Sequence, residues 1–513
     1  MTPALLAPLA LAAALADEPH AHPAPERLGT VHFESSCPAV QADLERSMAL
    51  LHSFAYDSAA QAFRAVAARD PKCALAHWGV AMSLYHQLWS PPDAAALKLG
   101  RKEVRRARHA GTPSARERGL IEAAGSYYSD LLPAHHAARA AAYSQAMAAL
   151  AARFPADDEV QILYALSLLG TARPTDRSHA NQKRAAAILE PIYARQPQHP
   201  GVAHYLIHAY DSSELAERGL AAARAYGDIA PSAPHALHMP SHIFTRLGLW
   251  EDSIRANEAA RRAAHAQGDT GEELHAMDYL TYAYLQDGRV ADAERIVGEL
   301  HAMAPLLGGD FKVGYAATAM PVRLAVETRR WADAAAVEPL PGAAPQIAAL
   351  AHWARALGHA QTGHPDLADQ DIAQLDACAA EARGNGDAYW AAQIVVLSQE
   401  AHAWRVRVAG SPEEALSLLR AAADAEDALE KLPVTPGPVV PAREQLGRLL
   451  LELGRPAEAL VELKQALIDA PGRRAAREAA SAAAMQAAQV VGRAGDADAH
   501  RREIVAVVSA GGD

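Results

Sequence analysis

"PAREQLGRLLLELGRPAEALVELKQALIDAP", Pro441 to Pro471, decides how the chain folds. Apolar residues recur at helical spacing on both sides of Gly454. Leu446, Leu450 and Leu463 are large, while Gly447 and Ala459 are small. The small pair lets two antiparallel helices approach closely, and the leucines fill the space between them. Gly454 permits the turn and Pro471 stops the second helix. Such a pair cannot bury its apolar faces alone, so it must stack on others.

Weaker copies of the pattern run outward along the chain. "YDSAAQAFRAVAARDP" (Tyr56–Pro71) reads as a second helix and "CALAHWGVAMSLY" (Cys73–Tyr85) as the first helix after it. "LTYAYLQDGRVADAERIVGEL" (Leu280–Leu300) places Tyr284, Gly288 and Ala293 in phase, and "RRWADAAAV" and "TGHPDLADQDIAQL" continue the turn-then-alanine pattern. Together these units resemble the tetratricopeptide repeat family over most of residues 40–505, with degenerate units and insertions around 88–135 and 425–440. The resemblance implies an all-α solenoid of stacked antiparallel helix pairs, expected to be elongated. The expected organisation is N-terminal repeats over 40–197, central units over 198–310, further repeats over 311–431 and C-terminal units over 442–508. "LPVTPGPVVP" (Leu432–Pro441) is a Pro-rich connector between repeat groups.

Composition agrees. Of the 513 residues, 50% are hydrophobic but only 5% aromatic, and alanine abounds where β-branched residues are sparse, which favours helix over strand. The net charge of -12 comes without a basic stripe, which argues against nucleic acid as a partner. "MTPALLAPLALAAALA", residues 1–16, reads as an export signal ending in Ala14-Leu15-Ala16. It is too short to span a bilayer, and no other stretch does. The expected location is therefore outside the cytoplasm, in the periplasm, with 17–39 as a flexible lead-in. In an oxidising compartment Cys37 and Cys73 form a candidate disulfide.

The chemistry concentrates in "VAHYLIHAYDSSELAERGLAAARAYGDIAPSAPHALHMPSHIFTRLG", Val202 to Gly248. His204 and His208 are four apart, as are His238 and His242, and the second pair follows the first by 34 residues. Residues i and i+4 share a helix face, and adjacent helices pack about 8–10 Å apart, so the two pairs should converge. With Gly248 as the turn glycine, His235, His238 and His242 take repeat positions 2, 5 and 9, and His204, His208 and Asp211 take 5, 9 and 12. His275 and Asp278 fall at 2 and 5 of the next unit, and Arg323 at 9 of its own. In the family those positions face the concave groove. The segment is also similar to a group of exported bacterial tetratricopeptide proteins with "PHALHMPSHIF" and "YLIHAYD"-like stretches, a group without an assigned activity.

Imidazoles at this spacing suit Zn, Cu or Fe. The expected metal set is His204, His208, His235, His238, His242 and His275, with Asp211 and Asp278 completing coordination or orienting ligands. Neutral imidazole is the ligand, so affinity should fall below about pH 6.5. Arg323 is a candidate for binding an anionic substrate in the groove. Pro240 unsettles the picture, because a helix beginning there would leave His238 outside it. The alternative is a non-enzymatic scaffold holding a peptide, protein or small molecule in its groove.

Overall fold

A computed structural model describes residues 26–490, apart from 89, 90, 130–135, 304, 307 and 433. The candidate export signal, residues 17–25 and the chain beyond 490 lie outside the described residues. Every regular element among the described residues is a helix. Consecutive helices pack as antiparallel pairs, among them Trp250–Gln267 with Thr270–Gln286, Pro345–Gln361 with Pro365–Gly384, and Ala442–Glu452 with Pro456–Asp469.

Local sequence explains the starts. Asp269, Asp310 and Asp387 each accept a hydrogen bond from the backbone N–H three residues on, and Pro occupies the first turn at 345, 365, 412 and 456. The defining pair is closed by Gly447, where a Cβ atom would lie 2.5 Å from Leu463 Cγ. Leu446, Leu450 and Leu463 share one buried cluster with Ala459.

Two expectations are corrected. Residues 26–39 are not a loose lead-in: Leu28, Val31 and Phe33 are buried, and Thr30 N–H donates to the Gln198 carbonyl at 2.9 Å. Cys37 and Cys73 in this region are joined by a disulfide, with Cα atoms 5.5 Å apart. Nor is the array an extended rod, because it curls back on itself. Gly248 and Gly472 meet backbone to backbone, and a Cβ on Gly248 would sit 2.6 Å from Gly472 Cα. Trp250 Nε1–H donates to the Gly472 carbonyl at 3.0 Å, and Ser213 Oγ–H donates to Asp469 at 3.0 Å.

The Pro-rich connector lies along the face where the groove was expected. Glu430 pairs with Arg246, Lys431 with Asp211, and the Gly437 and Pro438 carbonyls accept from Arg323. The concave surface of the central repeats is thus covered in part by a later segment of the same chain.

Candidate metal centre

Two helix starts repeat 34 residues apart. Pro200 opens the helix that carries His204 and His208, and Pro234 opens the one that carries His235 and His238. Met239 stays helical (φ -54°, ψ -34°), so the backbone runs through Pro240 and keeps His238 one turn from His242. The missing N–H of Pro240 interrupts the helical hydrogen bonding without turning the chain.

The six histidines form two groups of three. His204, His208 and His235 bring one ring nitrogen each within 4.8 Å of one another, and so do His238, His242 and His275. All six are buried. The groups adjoin: ring centroids are 6.1 Å apart for His208 and His242, and again for His235 and His238.

Oxygen acceptors around the rings dictate where their protons sit. His242 Nδ1–H donates to Asp211 Oδ2 at 2.9 Å, because a carboxylate only accepts. His238 Nδ1–H donates to Asn257 Oδ1 at 2.6 Å, and the Asn257 amide is oriented by donating its NH₂ to the Ser253 carbonyl. His204 Nδ1–H donates to the His52 carbonyl at 2.7 Å, and His235 Nδ1–H to Glu272 at 3.2 Å. The Nε2 atoms of these four rings therefore carry lone pairs. His238 Nε2 and His242 Nε2 face each other at 3.0 Å, and His204 Nε2 faces His208 Nε2 at 3.1 Å.

The electrostatics disfavour protonation of five of these rings. Burial, reinforced by neighbouring imidazoles, holds His204, His208, His238 and His275 well below the usual histidine range, with Lys312 adding to the effect at His275. Burial brings His242 down to about 4 even though Asp211 pulls the other way. Burial would raise Asp211, but Lys431 and Arg246 override it and hold the carboxylate well below its ordinary value. Lys312 does the same for Glu272.

Asp211 thus orients a ring rather than joining either group. Asp278 belongs to neither group, and its carboxylate accepts from Arg323 Nε at 2.9 Å. Arg323 is fully buried between Asp278 and the connector carbonyls, so its guanidinium is committed within the fold instead of being offered to an anion.

Several participants escape a reading of repeat phase. Asn257 comes from a second helix, Glu272 from the first turn of another helix, and Lys431 from the residue just before the connector. A third buried group, His52, Glu159 and His199, is also new. Both Nε2–H groups there donate to Glu159, at 3.0 and 2.6 Å, while His52 Nδ1 accepts from Tyr205 and His199 Nδ1 from the Val202 N–H. Every ring nitrogen is satisfied, so this group is complete without an ion. Its role is to brace His52, whose carbonyl holds His204. The only sequence signal for it was the His199-Pro200 helix start.

No family model and no curated protein matches the chain. Among solved structures it is similar to the Cut9-Hcn1 hetero-tetramer of APC/C (13% identity, 86% of this chain and 76% of that one, TM-score 0.33). It is also similar to a monomeric mutant of IFIT1 with m7Gppp-AAAA (11%, 84% and 90%, TM-score 0.37) and to Naa15/Naa10 bound to HypK-THB (12%, 91% and 62%, TM-score 0.25). Likenesses this weak say nothing about what the chain binds; the repeat fold rests on its own helices and packing. No helix among the described residues is long and apolar enough to cross a membrane.

Proposed function

We propose that the chain is a helical-repeat protein whose interior binds two transition-metal ions side by side. One ion would sit on His204, His208 and His235, the other on His238, His242 and His275. The observation that carries this reading is the facing pair His238 and His242. Both Nδ1 atoms donate to fixed oxygens, so two bare Nε2 lone pairs are buried 3.0 Å apart. Such an arrangement repels itself until a cation enters. Two imidazoles each about 2.0–2.1 Å from a tetrahedral ion have nitrogens about 3.3 Å apart, close to the spacing present.

The donors favour copper. All six are imidazoles, and neither group includes a carboxylate. The nearby carboxylates are already matched by cations, Asp211 by Arg246 and Lys431, and Glu272 by Lys312. The fold therefore supplies little net negative charge to offset two divalent ions. Copper tops the affinity order for nitrogen sites and also binds as a monovalent ion. Bound there, it would supply one-electron redox chemistry.

Export into an oxidising compartment, as in the bacterial group with similar His-rich stretches, is part of the proposal and is supported by the Cys37–Cys73 disulfide. A peptide-binding scaffold is the weaker reading, because the segment ending in the connector occupies part of the face a peptide would use.

Metal content after copper loading and desalting tests the reading. We expect two ions per chain in the wild type, a loss in His242→Ala, and no change in His301→Ala, which alters an exposed ring. Equal copper content and affinity in all three proteins would refute it.

A further inference from the structure

A cavity of about 110 Å³ opens beside the metal centre, between the helix ending at Leu169, the start of the Ala180–Arg195 helix and the connector. His208 and Asp211 form its inner wall. His179, Gln182 and Ser212 also line it, and each has a buried polar atom with no hydrogen-bond partner: His179 Nδ1, Gln182 Oε1 and Ser212 Oγ. Orphaned buried polar atoms are costly, about 1–3 kcal/mol each, and three around one cavity call for an occupant. His179 is further unusual in being a non-glycine residue at φ +52°, a backbone conformation that accumulates at binding sites.

The atoms define what fits. Gln182 Oε1 only accepts. His179 Nε2 lies on the side of two carboxylates, 3.7 Å from Glu214 and 4.0 Å from Glu430, which favours the tautomer that leaves Nδ1 as an acceptor as well. Ser212 Oγ accepts or donates. Two acceptors and a hydroxyl around a small space match a ligand rich in hydroxyl donors.

We infer that this cavity is a binding site for a small polyhydroxylated molecule, held by His179, Gln182 and Ser212 against the His208 wall. The inference rests on the proposed metal centre only for what the ligand meets at its inner end; the hydrogen-bonding atoms belong to the cavity alone.

The probe is erythritol, titrated by ligand-observed NMR into the full chain, with n-butanol as an analogue with one hydroxyl. We expect erythritol to bind and butanol not to. Ser212→Ala and Gln182→Met should each weaken erythritol about tenfold, one hydrogen bond's worth, with copper content unchanged. His242→Ala, which tests the metal reading, should keep erythritol binding while losing copper. Absence of erythritol binding to the wild type, or equal binding by the Ser212 and Gln182 variants, overturns the inference, even where copper loading succeeds. Butanol binding as tightly as erythritol overturns it too.

Discussion

His242 shows how a single side chain is prepared for a ligand. Asp211 holds its Nδ1–H, His238 faces its Nε2, and burial keeps the ring neutral with a pKa of about 4. The sequence alone suggested proton competition below about pH 6.5, the value of a solvated imidazole. Burial moves that competition lower for the folded protein. The linkage has the sign of a depressed pKa: stability is intact above about 6.5 and is lost as the pH falls toward 4, because unfolded rings take up protons that folded ones refuse. Each such ring contributes up to about 1.4 kcal/mol per pH unit. We therefore expect the melting temperature of the metal-free protein to drop steeply between pH 6.5 and about 4.5, while copper affinity measured on the still-folded protein stays level to below pH 6. A flat melting profile over that range would contradict the buried neutral cluster. Four of the six histidines were legible because the His204/His208 pair returns 34 residues later as His238/His242; His235 and His275 came only from counting repeat positions back from a turn glycine. Asn257 and Glu272 were not: in sequence they look like ordinary helix-surface residues, and only packing brings them to a ring nitrogen.

At the scale of elements, the connector runs between the helices Pro412–Asp427 and Ala442–Glu452, and its destination was not legible in the sequence. Asp278 and Arg323 fall in phase with the histidines, so spacing put them on the same strip. Spacing carries no information about a segment more than a hundred residues later that returns to cover part of that strip. A second feature that only packing reveals lies between the helices Ala388–Val408 and Pro412–Asp427. Glu400 is buried and Glu426 half-buried there, and Glu426 Oε2 accepts from the Ala442 N–H at 2.8 Å. Burial raises both carboxyls, Glu426 to about 7, and the Glu426 charge pushes Glu400 further up. A raised carboxylate pKa means that stability is fully present below about 4.5 and is lost as the pH climbs through 7. Glu400→Gln, which stays neutral, should raise the stability by about 1–3 kcal/mol at pH 8 and leave it nearly unchanged at pH 4. Thermal melts at the two pH values check this; equal losses at both would show that the pair acts through shape rather than charge.

Over the whole molecule, the all-α repeat character was legible from one well-formed pair, since that pair's small and large residues specify how helices stack. The curl that brings Gly248 to Gly472 was not, because curvature is the sum of small rotations that no single repeat encodes. Chain order now gives the connector a temporal meaning. All six imidazoles exist once residue 275 has been made, whereas the Glu430–Pro438 stretch, which covers the neighbouring face, follows much later on the same chain. Synthesis thus leaves an interval in which the nest is built and still uncovered, and an ion admitted then needs no reopening. Finished protein stripped of copper should reload slowly, at the pace at which the connector lifts, while protein refolded with copper present should fill at once. Stopped-flow uptake on the two preparations measures the difference, and identical rates would mean that the cover never stood in the way.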